Sequence, residues 1–318
     1  MAPAAGTADL DRLDRLAAER GITLAVDAPM APLTTLRVGG PADRLIAARS
    51  SAELLAALHL ARDAGAPWFV LGNGSDLVVA DAGMRGLVIR NRARGVTIDD
   101  LRLRADSGAP MALLVRRCTG DGLAGLEFGT SIPGTLGGAV WANAGAHGSE
   151  MRDLVSAVEV WDPRDDEVRN LGVDACAFAY RESRFKHSRE VVLSATLALH
   201  PDAPAAIAAR VEASQAQRIA TQPLADQNAG SVFRNPPGDH AGRLIDAAGL
   251  KGLRIGAAAV SDLHANFIVT DRGASAADVR ALGDRVRAEV LARFGVDLAY
   301  EIEFVGDWAI TDAAGGST

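Results

Sequence analysis

Cysteine is nearly missing from this chain: its 318 residues include only Cys118 and Cys176. Two cysteines build no disulfide framework and no thiolate metal cluster, and they read as reduced thiols. Histidine is also sparse. The six histidines lie far apart, none paired in the HExxH manner of a zinc helix, so no metal site is expected. Positive charge is not in excess. The net charge is -7 and the pI about 5.4, the opposite of the basic face that holds nucleic acid, although a local basic pocket for phosphate groups remains compatible. No run approaches the roughly 20 apolar residues of a membrane span. The opening "MAPAAGTADLDRLDRLAAER" is acidic and amphipathic, so no signal peptide is expected. These absences leave a soluble cytoplasmic protein with no metal, membrane or nucleic-acid partner.

What is present is ordinary for a globular chain: 48% hydrophobic and 23% charged residues, and length enough for two or three domains. Leu10, Leu13 and Leu16 recur at helical spacing behind a possible cap at Thr7. Ser50 and Glu53 form a capping-box pattern ahead of a helix that Gly65 ends. "LRVGGPADRLIAA" predicts two strands hinged at Gly39, Gly40 and Pro41. "WFVLGNGSDLVVAD" predicts a strand, a glycine-rich turn and a second strand, and "GLVIRN" a third. Residues 91–200 predict short strands and many turns. The segment 200–223 reads as a boundary that holds an Ala-rich helix and a Gln-Pro stop, and a helix around 241–248 follows. Ser275 and Asp278 cap a long amphipathic helix that Gly295 closes. "DLAYEIEFVG" alternates as a last strand, and the tail "TDAAGGST" reads as disordered. No internal repeat is visible.

Several stretches suggest chemistry. In "GNGSDLVV" the glycines allow a tight turn whose free N–H groups can nest an anion. A plain hairpin turn explains the same residues. It is neither a dinucleotide fingerprint nor a P-loop, because a β-branched strand follows and no Lys-Ser/Thr does. "GLEFGTSIPGTLGGAVWANAGAHG" carries few large side chains between 129 and 139, a composition suited to lying against a flat cofactor or to tight helix–strand packing. "YRESRF" sets Arg181 and Arg184 three apart, either as anion-binding forks or as a surface charge cluster. Glu301 and Glu303 share one face of the last strand, one of them exposed and one functional. Ser231 in "NAGSVFRNP" lacks the G-x-S-x-G elbow of a serine hydrolase, and no histidine is marked as its base.

In chain order, "TTLRVGGPAD", "LGNGSDLVV", "GLEFGTSIPGTLGGAVWANAGAHG", "YRESRF", "AGSVFRNP", "AGRLIDAAGLKG", "HANFIV" and "EIEFVG" resemble the UDP-N-acetylenolpyruvoylglucosamine reductase family. The resemblance runs from about Thr34 to Gly306. The short Arg181–Ser231 interval resembles the family's shorter type, which lacks an inserted tyrosine loop. The resemblance implies an α+β, vanillyl-alcohol-oxidase-like FAD-binding domain of two subdomains, 1–90 and 91–203. It implies a C-terminal α+β substrate-binding domain at 204–318, whose last strand near 298–306 packs back on the FAD domain. It further implies FAD and NADPH as cofactors and UDP-N-acetylglucosamine enolpyruvate as the small-molecule substrate, reduced to UDP-N-acetylmuramate for peptidoglycan. Another FAD oxidoreductase of the same fold with a different substrate is the alternative.

The resemblance also assigns residues. Ser231 would donate the proton, Arg181 would meet the developing negative charge, and Glu301 would assist, either protonated in a dry pocket or orienting a donor. FAD would lie along Gly72, Asn73, Gly74, Ser75, Asp76 and Leu77, and along Gly129, Thr130, Ser131, Ile132, Pro133, Gly134, Gly137, Gly138, Ala139 and Asn143. Arg234, Asn235 and Lys251 would face the substrate diphosphate or sugar. Three positions depart from the family's common residues: Asp76 stands for Asn, Arg234 for Lys, and His147 for an aromatic. Asp76 is expected to turn away from the pyrophosphate, since a carboxylate there would repel it.

Overall fold

The computed structural model describes residues 10–308. Helix α1 (Leu10–Glu19) turns Leu13 and Ala17 inward; the cap expected at Thr7 lies outside the described residues, as does the tail. Strands β1 (Ala25–Pro29) and β2 (Pro41–Ala48) follow. The expectation of two strands hinged at Gly39–Pro41 is corrected here, because only the second forms. Gly39 has φ +118°, and a Cβ on Gly40 would stand 2.1 Å from the Asp81 carbonyl oxygen. Gly40 N–H donates to Ala80 O at 2.9 Å. The glycines therefore serve a close backbone contact with residues 79–83, which only a residue without Cβ permits.

Helix α2 (Ser51–Ala64) begins where Ser50 Oγ accepts from Glu53 N–H at 3.1 Å and stops at left-handed Gly65. Glu53 reaches back to Arg49 N–H at 2.8 Å, one residue short of the full reciprocal box. Strands β3 (Trp68–Leu71), β4 (Leu77–Val79) and β5 (Met84–Asn91) come next. The first sheet runs β1-β2-β5-β3, with β2 and β3 parallel to β5. Leu54, Leu58 and Ala61 of α2 share a core with Leu87 and Ile89 of β5. Strand β4 is not in that sheet. The glycine-rich turn closes no hairpin, and instead hands the chain from one sheet to another.

Strands β6 (Val96–Asp99) and β7 (Arg102–Asp106), helices α3 (Met111–Gly120) and α4 (Leu136–Trp141), and strands β8 (Val155–Asp162), β9 (Glu167–Gly172) and β10 (Val191–Ala198) build the second unit. Its antiparallel sheet runs β9-β8-β10-β7-β6. Leu114, Val140, Val158 and Leu197 fill its core, beside buried Cys118. Burial pushes the Cys118 thiol up to about 12 and that of Cys176 up to about 11, which leaves both unreactive.

Helix α5 (Pro204–Thr221) leads into β11 (Gln227–Ser231), α6 (Ala241–Ala247), β12 (Arg254–Ile255), β13 (Ala258–Val260), β14 (Phe267–Thr270), α7 (Ala276–Phe294) and β15 (Glu303–Val305). The third sheet runs β11-β14-β13-β12. Ile245, Ile268, Leu282 and Val286 form the core beneath it. Ser275 and Asp278 make the full capping box of α7, and Gly295 ends it at φ +69°. Strand β15 then returns to β4 and pairs with it in parallel, Glu303 beside Leu77 and Val305 beside Val79. The class is α+β, and the final strand ties the third sheet's unit to the glycine-rich turn.

Candidate active site

Arg181 sits in a two-residue reversal closed by paired bonds between Ala179 and Glu182, both 3.0 Å. Its φ is +53°, a left-handed backbone that costs a non-glycine residue about 1–3 kcal/mol. Surrounding contacts hold it there. Asn143, fully buried, donates from Nδ2 to Ala179 O at 2.8 Å and accepts from Arg152 N–H at 3.0 Å. Arg181 donates through Nε to Glu301 Oε1 at 2.6 Å and through Nη2 to Gly145 O at 2.8 Å. The two arginines of "YRESRF" are thereby sorted. Arg184 grips buried Glu190 with two 2.9 Å bonds and has a structural task.

Ser231 ends β11, just after left-handed Gly230 (φ +77°). The chain then turns toward the C-terminal segment. Glu301 N–H donates to Val232 O at 2.8 Å, Phe233 bridges Tyr300, and Arg234 N–H donates to Ala299 O at 2.9 Å. Ser231 and Glu301 therefore approach through backbone pairing, and Glu301 links onward to Arg181. Asn266 fixes this crossing from behind. Its buried amide donates to Phe233 O at 2.8 Å and accepts from Phe233 N–H at 3.0 Å.

The two glycine-rich segments face one another. Asn73 Nδ2 donates to Pro133 O at 2.9 Å, and Gly134 lies against Ser75 Oγ. Gly74 needs its glycine identity twice over, with φ +64° and a would-be Cβ 2.3 Å from Leu33 O. Gly138 is exposed, and Thr135 Oγ1 accepts its N–H at 3.5 Å at the start of α4. Thr130 Oγ1 accepts from Gln215 of α5 at 2.9 Å, and Ser131 Oγ meets His147 Nε2 at 3.0 Å. Ile132 is part-buried against the second core. Leu77 pairs beside Glu303.

Four of the expected cofactor residues are backed on at least one side by the protein. A Cβ on Gly129 would meet Met111 and Val115, and one on Gly137 would meet the Ser107 backbone. Ala139 is core, and the Asn143 amide is engaged at both ends by backbone.

Three carboxyls and two cations meet where β4 and β15 begin. Besides Arg181–Glu301, Lys186 Nζ pairs with Glu303 at 3.2 Å and stacks 4.3 Å above the Trp141 ring, its side chain only 7% exposed. Asp76 accepts Glu303 N–H at its backbone oxygen, 3.0 Å away. The residue is part-exposed. Burial, helped by the charges of Glu301 and Glu303 against those of Lys186 and Arg181, pushes this carboxyl well above the usual range. Asp76 thus faces the Arg181–Glu301 cluster.

Comparison with known proteins places this arrangement. Residues 222–305 match the model of the UDP-N-acetylenolpyruvoylglucosamine reductase C-terminal domain, and residues 41–172 match an FAD binding domain. The chain is 45% identical over 282 residues to the UDP-N-acetylenolpyruvoylglucosamine reductase of Heliobacterium modesticaldum, covering 88% of this chain and 90% of that one. It is 46% identical to the enzyme of that name from Moorella thermoacetica, covering 88% and 92%. The chain belongs to the UDP-N-acetylenolpyruvoylglucosamine reductase family. The crystal structure of the Thermus caldophilus reductase superposes with a TM-score of 0.77 at 37% identity, over 89% of this chain and 99% of that one.

In this reductase the groove between 72–76 and 130–138 fits an FAD: two apposed turns, an exposed glycine backbone and few bulky side chains. The outer residues divide. Arg234 Nη1 donates to Glu182 at 3.3 Å, and its Nε is buried without a hydrogen-bond partner among the described residues. The Asn235 side chain accepts from Ala241 N–H at 3.1 Å and caps α6, so only its exposed edge remains for a ligand. Lys251 pairs with Asp246 at 3.0 Å. Sequence reasoning missed Lys186, Asn266 and Arg218. Arg218 is half-buried on α5, bonded only to Gln222 among the described residues, and burial lowers its pKa. A lysine next to "YRESRF" and an asparagine inside "HANFIV" were visible signals; their burial was not.

Proposed function

We propose that this chain reduces UDP-N-acetylglucosamine enolpyruvate to UDP-N-acetylmuramate, with FAD and NADPH, in peptidoglycan precursor synthesis. FAD, when bound, supplies hydride chemistry to the enolpyruvyl double bond. This chain's residues handle the charge and the proton. Hydride addition at the terminal vinyl carbon leaves negative charge beside the substrate carboxylate, and preorganised donors must meet it. Arg181 carries that task, presented by a strained turn and oriented by Glu301. Ser231 hands its proton to the carbon next to the carboxylate. A serine hydroxyl is a weak acid, but the acceptor is strongly basic, so position outweighs ground-state acidity. Arg234, with its unpartnered Nε, is assigned to the substrate's diphosphate.

The observation that carries this reading is the 2.6 Å Arg181–Glu301 pair, whose glutamate is bonded through its backbone to the residue after Ser231. Residues 1–90 and 91–203 are proposed as the FAD-binding subdomains and 204–318 as the substrate domain. Between Arg181 and β11 lie a 3-10 turn (Arg184–Lys186), β10, a two-residue strand (His200–Pro201) and α5, which supports the shorter type. Among the described residues no helix is long and apolar enough to cross a membrane, and the cytoplasm is the proposed compartment.

The test separates the half-reactions. Ser231→Ala is expected to keep flavin reduction by NADPH close to normal and to slow flavin reoxidation by substrate about 10²–10⁴-fold, the usual worth of a positioned proton donor. Equal loss in both halves removes Ser231 from the proton-donor role.

A further inference from the structure

The reaction described above gives Lys186 no task, yet this lysine is taken almost wholly out of water. Its side chain is 7% exposed, and its Nζ lies 3.2 Å from Glu303 Oε1 and 4.3 Å above the Trp141 ring. Burying an ammonium is costly, and a carboxylate and a ring face offset that cost only when the geometry is fixed. Here it is fixed from both sides. Trp141, the last residue of α4, donates from Nε1 to Phe185 O at 3.1 Å, and its carbonyl accepts from Ser183 Oγ at 2.6 Å. Glu303 N–H donates to Asp76 O at 3.0 Å where β15 starts to pair with β4. The 181–186 and 301–303 segments are thus joined twice, by Arg181–Glu301 at 2.6 Å and by Lys186–Glu303 at 3.2 Å.

We propose that Lys186 is a positioning residue for the Arg181–Glu301 pair: by holding Glu303 at Trp141, it keeps a second carboxylate off Arg181. This rests on the role given to Arg181 above. Arg181 spends Nε on Glu301 and Nη2 on Gly145 O, and its Nη1 has no hydrogen bond to a described residue. That remaining edge is what the guanidinium can offer to negative charge on a substrate. Without the ammonium, Glu303 would be a carboxylate with no cation of its own, two residues on from the glutamate that Arg181 already holds. Arg181 is the other cation of this cluster, and a guanidinium shared by two carboxylates has both its charge and its free edge occupied. A simple brace is the rival reading of the same contacts. The two differ in sign: a brace is not restored by removing its second half, whereas an excluded competitor does no harm once it is removed.

Two measurements on the holoenzyme test this. Lys186→Met keeps an apolar stem against Trp141 and removes the charge. Single-turnover reoxidation by substrate is expected to slow about 10–100-fold, less than the full loss of a charge-stabilising donor, while NADPH reduces the flavin at a near-normal rate. Adding Glu303→Gln to Lys186→Met is expected to speed reoxidation again by about fivefold or more, a coupling of the sign that exclusion requires. A double variant no faster than Lys186→Met overturns the proposal and leaves the pair a brace. Independently, the Arg181 Nε–H resonance can be followed by heteronuclear NMR in the substrate-free holoenzyme, identified by its absence from Arg181→Lys. It is expected to move in Lys186→Met and to move back toward its unsubstituted position in the double variant. A resonance that Lys186→Met leaves in place overturns the proposal. Lys186→Gln repeats both measurements with a polar side chain, should the apolar one fail to fold. The spectrum does not depend on turnover or on the role of Ser231. A failed Ser231→Ala prediction beside the expected shifts therefore sinks the proton-donor reading and leaves the positioning of Arg181 standing.

Discussion

At the scale of single residues, Glu301 and Glu303 are the sharpest test of how side chains divide labour. The expected shared strand face does not form, because β15 starts at Glu303 and Glu301 precedes it; both are ion-paired, so charge does not separate them. Their partners do. Glu301 holds the strained Arg181, whereas Glu303 holds Lys186 from a more exposed position. Glu301→Gln weakens the orientation of the arginine proposed to meet developing charge, and a loss of about 10²–10³-fold in reoxidation is expected at neutral pH. Glu303→Gln should stay within about tenfold at the same pH, since Glu303 is the more exposed carboxylate and pairs with Lys186 rather than with Arg181. Stopped-flow reoxidation rates decide, and the reverse order would mean that the wrong carboxylate has been assigned. Arg181, Ser231 and Glu301 were legible in the sequence because their motifs appear together and in order. The carboxyl pushed above its ordinary range is that of Asp76, whose surroundings are set only when β4 meets β15, more than 200 residues apart along the chain.

At the scale of elements, local signals were read well and long-range pairings were not. The caps of α2 and α7 depend on residues three apart, so Ser50, Gly65, Ser275, Asp278 and Gly295 announced themselves. The partner of β4 is set by tertiary packing, and the turn before it looked like a hairpin for want of that information. The same applies to Asn266. Nothing in its local sequence says that its amide will clamp Phe233 from 33 residues away. Asn266→Ala strips both partners from a buried peptide unit and is expected to cost about 2–4 kcal/mol, seen as a lower urea midpoint. It also frees the segment after Ser231. Reoxidation should therefore slow in the folded variant while NADPH still reduces the flavin at a near-normal rate; a stability loss without that kinetic asymmetry would make Asn266 purely a scaffold residue.

For the molecule as a whole, the titrating carboxyls pull stability in opposite directions along the pH axis. Hydrogen bonding from Arg62, then from Trp161, holds Asp166 down at about 2 where α2 meets the second sheet, and Arg243 holds Asp239 at about 2 ahead of α6. Asp162 lies lower still, gripped by Arg164 and Arg169 at the end of β8. A depressed acid contributes stability that is fully present above its unfolded pKa, near 3.8, and is lost as pH falls through the folded value. These groups therefore predict acid unfolding that develops between pH 4 and about 2. Asp76 acts with the opposite sign. Its raised pKa means the unfolded chain sheds that proton first, so stability declines as pH rises from the ordinary carboxylate range toward the folded value. Asp76→Asn removes this penalty. Denaturant unfolding of the flavin-free protein should show the variant gaining stability over the unsubstituted chain at pH 7–8, with the gain vanishing near pH 3. A gain that is constant across pH would reflect better packing of the amide rather than relief of a buried charge. A loss at neutral pH would mean that the folded protein stabilises the ionised carboxylate. The gain belongs to the whole molecule because the surroundings of Asp76 do: they exist only while the C-terminal strand is seated against the glycine-rich turn.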